Sequence, residues 1–199
     1  MESSSALAMH LATRLRDLRA GAGMTLDGLA ERTGVSRSMI SLIERGESSP
    51  TAAVLDKLAA GLGVTLASLF AEQKSAAASP LSRRADQQVW RDPESGYMRR
   101  NLSAPRFPSS IELVEVVLPP GARVAYDTGH RAATVHQQIW IIEGAIELTL
   151  GEETYRLGTG DCLSMRLDQL TLFRNLTDAP ARYVVALATD PRAGSTPYQ

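Results

Sequence analysis

The chain reads as an α + β protein of two domains, a bundle of five helices followed by a β-barrel or sandwich. From about Ala6 to Phe70 apolar residues recur at helical spacing, with glycines and hydroxyl residues where helix ends belong. Beyond Gln87 the pattern changes to short runs rich in β-branched and apolar residues, separated by Pro, Gly and Asp. At 199 residues the chain has room for two small domains.

Taken in order, Leu7, Leu11, Leu15 and Leu18 stripe a first helix that ends at the Gly21, Gly23 pair. Thr25 caps a second helix, with Leu26, Leu29 and Ala30, that stops at Gly34. Ser36 caps a third, running through Met39, Ile40 and Ile43 to Gly46. Ser49-Pro50 reads as the next helix start, with proline at the first helical position, and Leu55, Leu58 and Leu62 form that helix's inner face. A short fifth helix, Thr65 to Phe70, closes the bundle. The segment 72–87 has neither period and reads as a linker between domains at 1–71 and 88–190, with 191–199 as a tail. Strands are expected at Ile111 to Leu118, Thr134 to Ile142, Ile146 to Leu150, Leu170 to Phe173 and Tyr183 to Leu187.

No run approaches the roughly 18 apolar residues of a membrane span, and the N-terminus lacks the basic and apolar blocks of a signal peptide. A cytoplasmic location without membrane contact is expected. The one cysteine, Cys162, fits a reducing compartment and reads as a buried barrel residue. The net charge of −1 gives no overall basic excess, so contact with nucleic acid requires local placement of arginines.

Leu26 to Arg45 has the internal logic of a helix-turn-helix. Small Ala30 permits close approach, Gly34 supplies a tight turn, and Leu29, Val35, Ile40 and Ile43 pack the two helices. The longer segment HLATRLRDLRAGAGMTLDGLAERTGVSRSMISLIERGESSPTAAVLDKLAAGLGVTLASLF resembles the XRE family, of the phage Cro and repressor type. The resemblance implies a five-helix bundle whose third helix enters the major groove. Carried over by position, it makes Ser36, Arg37, Ser38, Ser41 and Leu42 the base-reading candidates, Arg37 foremost because a guanidinium grips guanine bidentately. Thr25 matches a phosphate-contact position, and Arg14, Arg45 and Ser48 are further phosphate candidates. Leu26 stands where many relatives carry a DNA-reaching Gln. Glu44, where a carboxylate would repel phosphate, is expected to pair with Arg14 or Arg19.

The segment HQQIWIIEGAIELTLGEETYRLGTGDCLSMRLDQLTLFRN resembles the two motifs of the cupin family, a double-sheet, jelly-roll-like barrel, with Gly144, Gly158, Gly160, Asp161 and Asn175 as frame residues. Metal-binding cupins place His, His and Glu in the first motif and His in the second. Here those positions hold Arg131, Ala133, Gln137 and Thr171, so neither metal nor another cofactor is expected. His130 and His136 lie nearby. Without a metal, the concave interior implies a small-molecule effector, with Ile139 and Ile141 pointing inward, Gln137 and Thr171 as polar handles, and His136, Tyr155 and Arg123 as further lining candidates. A barrel packed shut that only dimerises is the alternative. Trp140 and Ile142 fall on the opposite face.

Together these features imply a homodimeric, one-component regulator of transcription that places two reading heads on a pseudo-palindromic stretch of double-stranded DNA and is not an enzyme. A cupin enzyme carrying a DNA-binding domain, and an antitoxin-like DNA binder whose barrel grips a protein, stand as alternatives.

Overall fold

The computed structural model describes residues 2–70, 79–105, 107–127 and 134–189, and the side chains of these from Leu7 onward. His130, Arg131, Ala133, residues 72–78 of the expected linker and the tail 191–199 lie outside them.

Helices α1 (Glu2–Gly21), α2 (Leu26–Thr33), α3 (Arg37–Glu44) and α4 (Ala52–Leu62) make up the N-terminal half. The expected fifth helix is a single 3₁₀ turn, Ala67–Phe70, because four residues are too few to close an α-helical ladder. Leu11, Leu15, Leu29, Ile40, Ile43, Leu55, Leu58 and Leu69 form one core, and each fully buried leucine contributes about 1.5–3 kcal/mol. The Thr25 Oγ1 accepts from Gly28 N at 3.0 Å and caps α2, and Gly34 ends that helix at φ 68°, where a side chain would be strained. The next start lies past Pro50: Thr51 is the cap of α4, its Oγ1 accepting from Val54 N. The close approach in the bundle is made by Gly61, where an added Cβ would lie 2.2 Å from Thr33 Cγ2.

Arg19 joins α1 to α3. Its Nε and Nη2 donate to the two oxygens of Glu44 at 2.7 and 2.8 Å, and Nη1 donates to Met24 O. Burial opposes the charge of Arg19, yet the hydrogen bond to Glu44 dominates and raises its pKa. Glu44 is therefore an internal anchor rather than a carboxylate turned toward phosphate.

The C-terminal half is two antiparallel sheets. One contains β1 (Val89–Arg91), β2 (Met98–Asn101), β3 (Ile111–Leu118), β10 (Ala181–Thr189), β5 (Val135–Glu143) and β8 (Cys162–Arg166), in that spatial order. The other is β4 (Arg123–Tyr126), β9 (Thr171–Arg174), β6 (Ala145–Leu150) and β7 (Glu153–Gly158). Both bury their inner faces in one core, so burial alternates along β5 and β10 up to their last residues. Strands β1, β2, β4, β7 and β8 were not expected from sequence. They are short or polar on one face, and their period is weak.

The two halves are locked together by specific contacts. Asp92 Oδ1 accepts from the free N–H of Ala52 at the start of α4, at 2.8 Å, a position favoured by the helix dipole. Thr65 donates to Glu112, Asn101 donates to Ala67 O, and the rings of Phe70 and Trp90 meet at 5.6 Å.

Candidate DNA-reading helix and barrel pocket

The α3 terminus is built from its cap outward. Ser36 Oγ accepts from Met39 N and sits 3.1 Å from Ser38 Oγ, so the first turn is held without covering its outer side. Ser36, Arg37 and Ser38 are exposed, and Ser41 and Leu42 one turn on are half-buried. Arg37 pairs with Asp27 of α2 at 3.2 Å, both side chains mostly in water, a contact that a stronger anion can replace. Arg45 pairs with Glu47 and donates to Ser41 on the same side of the helix. That hydrogen bond to Glu47 raises the Arg45 pKa and lowers that of Glu47.

Of the phosphate candidates, Thr25 is exposed, whereas Ser48 is half-buried with its hydroxyl toward Met39 Sδ. Arg14 is set apart: half-buried on α1, its Nε donates to Ser68 O in the 3₁₀ turn.

In the barrel, Gln137 and Thr171 are buried on facing sheets and line one cavity of about 40 Å³. Ile139 and Ile141 point inward but are packed into the core and do not line it. His136 is exposed on the outer face of β5, since one step along a strand from Gln137 reverses the side chain. Tyr155 sits on β7 at the far edge of the second sheet, bonded to Glu153, and Arg123 is exposed. These three are not part of the cavity. Cys162 is also exposed, because β8 is an edge strand and this residue faces away from the core.

What the sequence did not flag is the charge inside. Arg99 on β2 is 7% exposed and lines the cavity beside Tyr97, Tyr126 and Tyr183. Its Nη1 donates to Tyr97 Oη at 3.1 Å, while Nε and Nη2 are buried with no hydrogen-bond partner among the described residues. Burial works against this cation, but the surrounding oxygens of Tyr97, Tyr126 and Tyr183 outweigh it and raise the pKa. Burial likewise pushes the phenols of Tyr126 and Tyr183 well up, so both stay neutral. The Tyr126 hydroxyl, close to Tyr97, makes no well-formed hydrogen bond among the described residues. Burying a guanidinium with two nitrogens unpartnered costs several kcal/mol. The missed signal was Arg99-Arg100 in a segment too short to show strand alternation.

Three lining residues come from the helical half: Asp56 of α4, and Thr65 and Leu66 just after it. The cavity is thus closed in part by α4, which packs against α2, and α2 in turn packs against α3. A divalent cation does not fit here. The two described ligand positions offer an amide, turned toward Met165 Sδ, and a hydroxyl, and Arg99 adds a repelling positive charge.

Comparison with known proteins agrees with both halves. A helix-turn-helix family model matches residues 15–69 and a cupin domain model matches residues 114–187. The chain is 32% identical over 170 residues to the HTH-type transcriptional regulator SutR of Escherichia coli K12, covering 85% of this chain and 89% of that protein. An uncharacterized HTH-type transcriptional regulator of Archaeoglobus fulgidus is 36% identical over 58 residues, 29% of this chain and 83% of that protein. An HTH_3 family transcriptional regulator from Vibrio cholerae has a similar structure, with a TM-score of 0.74 and 27% identity over 95% of this chain and 99% of that one. The chain belongs to the XRE-type helix-turn-helix transcriptional regulators that carry a C-terminal cupin domain.

Proposed function

We propose that the chain is a one-component regulator in the cytoplasm, in which a small molecule in the barrel changes how a dimer's two reading heads sit on a pseudo-palindromic operator. The observation that carries this reading is the shared cavity: Asp56, Thr65 and Leu66 of the helical half wall a space otherwise lined by barrel strands. An occupant touches both halves at once, and a coupling of about 1–3 kcal/mol suffices for regulation. The division into domains at 1–71 and 88–190 belongs to this reading, as does a barrel that senses rather than catalyses. Gln137 and Thr171 replace the imidazole and carboxylate ligands that metal-assisted chemistry requires.

Base reading is assigned to Ser36, Arg37, Ser38, Ser41 and Leu42, and backbone contact to Thr25, Arg45 and Ser48. Arg14 is a weaker phosphate candidate because of its bond to Ser68. The test is a change made far from the DNA. Val185→Phe fills the cavity from β10, and is expected to shift operator affinity by about fivefold or more while leaving the recovered operator sequence unchanged. Unchanged affinity in a folded variant would show that barrel and head act independently.

A further inference from the structure

The buried edge of Arg99 that has no hydrogen-bond partner among the described residues is the one that matches a carboxylate. Nε and Nη2 lie side by side on the guanidinium, and these two nitrogens are without partners among the described residues, while the distal Nη1 is engaged by Tyr97. Two parallel N–H groups at that spacing grip two oxygens at once.

We propose that this cavity is the effector site and that it takes a small monocarboxylate, held bidentately by Nε and Nη2 of Arg99. The proposal rests on the sensor reading above and specifies its ligand class. Size follows from the space, about 40 Å³, which admits only a few heavy atoms. Val116, Val185 and Leu187 offer an apolar surface to a short tail, and Gln137 and Thr171 a polar one. Charge follows from Asp56 on the same lining, which disfavours a dianion, just as Arg99 disfavours a cation. A carboxylate that enters supplies the acceptor oxygens that Nε and Nη2 lack among the described residues.

The probes are sodium acetate and sodium propionate, with acetamide as the neutral isostere and sodium chloride at matched ionic strength. Thermal unfolding and calorimetric titration of the full chain report binding, and operator affinity is measured in parallel. Acetate and propionate are expected to bind saturably and raise the melting temperature, whereas acetamide and chloride do not. In Arg99→Met, carboxylate binding weakens by roughly 10- to 100-fold. This variant melts no lower than the unliganded parent, since a neutral side chain of similar length replaces a buried guanidinium with two unpartnered nitrogens. Arg99→Lys, which keeps the charge but loses the paired edge, binds with intermediate strength. If acetamide matches acetate, or Arg99→Met binds acetate as tightly as the parent, the carboxylate assignment is overturned while the barrel can still be a sensor. Failure of all four probes to bind a folded protein overturns the site itself. Carboxylates that saturate through Arg99 but leave operator affinity unchanged overturn the sensor reading and not the ligand class.

Discussion

Arg37 and Arg45 reach the surface of the reading head already engaged with carboxylates, Asp27 and Glu47. Exposed pairs of this kind are worth about 0–1 kcal/mol, so phosphate or guanine can displace them at little cost. Arg37→Ala is expected to relax base preference at one position in each half-site, with a loss of about 1–3 kcal/mol of discrimination there. Selection of binding sites from random DNA by parent and variant checks it, and identical base preferences would refute the assignment of Arg37 to base reading. Glu44 shows how far one residue could be read in advance. Its position below the proposed base-reading turn argued for an arginine partner on α1, but the choice of Arg19 over Arg14 depends on which side of α1 faces α3. Arg14 instead turns toward the 3₁₀ turn at Ser68.

At the level of elements, helix ends were legible where a local chemical group makes them. Thr25 and Ser36 cap α2 and α3 as their spacing implied. The start of α4 was misread by two residues, since the hydroxyl of Thr51 rather than the ring of Pro50 sets it. Helix packing was less legible. Ala30 was expected to permit the approach of α2 and α3, but the tight contact of α4 with α2, Gly61 against the β-branched Thr33, was not foreseen. Gly61→Ala should therefore destabilise the protein by about 1–3 kcal/mol, although alanine has a helix propensity about 1 kcal/mol better than glycine. Chemical denaturation with an unchanged m-value measures it; a stabilised variant would mean that Thr33 yields freely. Along β5 the two-residue period placed Gln137 inside and Trp140 outside correctly, and the same rule excludes His136 from the interior.

For the whole molecule, the proposed dimer is the remaining requirement, because one head of this type makes too few base contacts for useful specificity and half-sites read by such dimers lie about 34–36 Å apart or at multiples of that distance. The outer face of the larger sheet suits the proposed barrel-to-barrel pairing: Trp140 is 51% exposed, Val184 opposite it on β10 is half-buried, and Leu113 on β3 is exposed. Trp140→Glu is expected to convert a dimer to a monomer in light scattering behind size exclusion, and to weaken operator binding at least tenfold. A dimer unaffected by this change would place the symmetric interface elsewhere. The sequence by itself determined the order of the two halves, the helix caps, the inward and outward faces of β5, and the replacement of metal ligands at Gln137 and Thr171. Those features depend on neighbours a few residues apart, or on a repeated spacing. Only the tertiary structure decided that Arg99 lies in the interior with two nitrogens unpartnered among the described residues, that Asp92 caps α4 from across the chain, and that Asp56, Thr65 and Leu66 close the barrel. These depend on contacts between segments tens of residues apart, and no local period encodes which distant surface a short polar strand or helix end will meet.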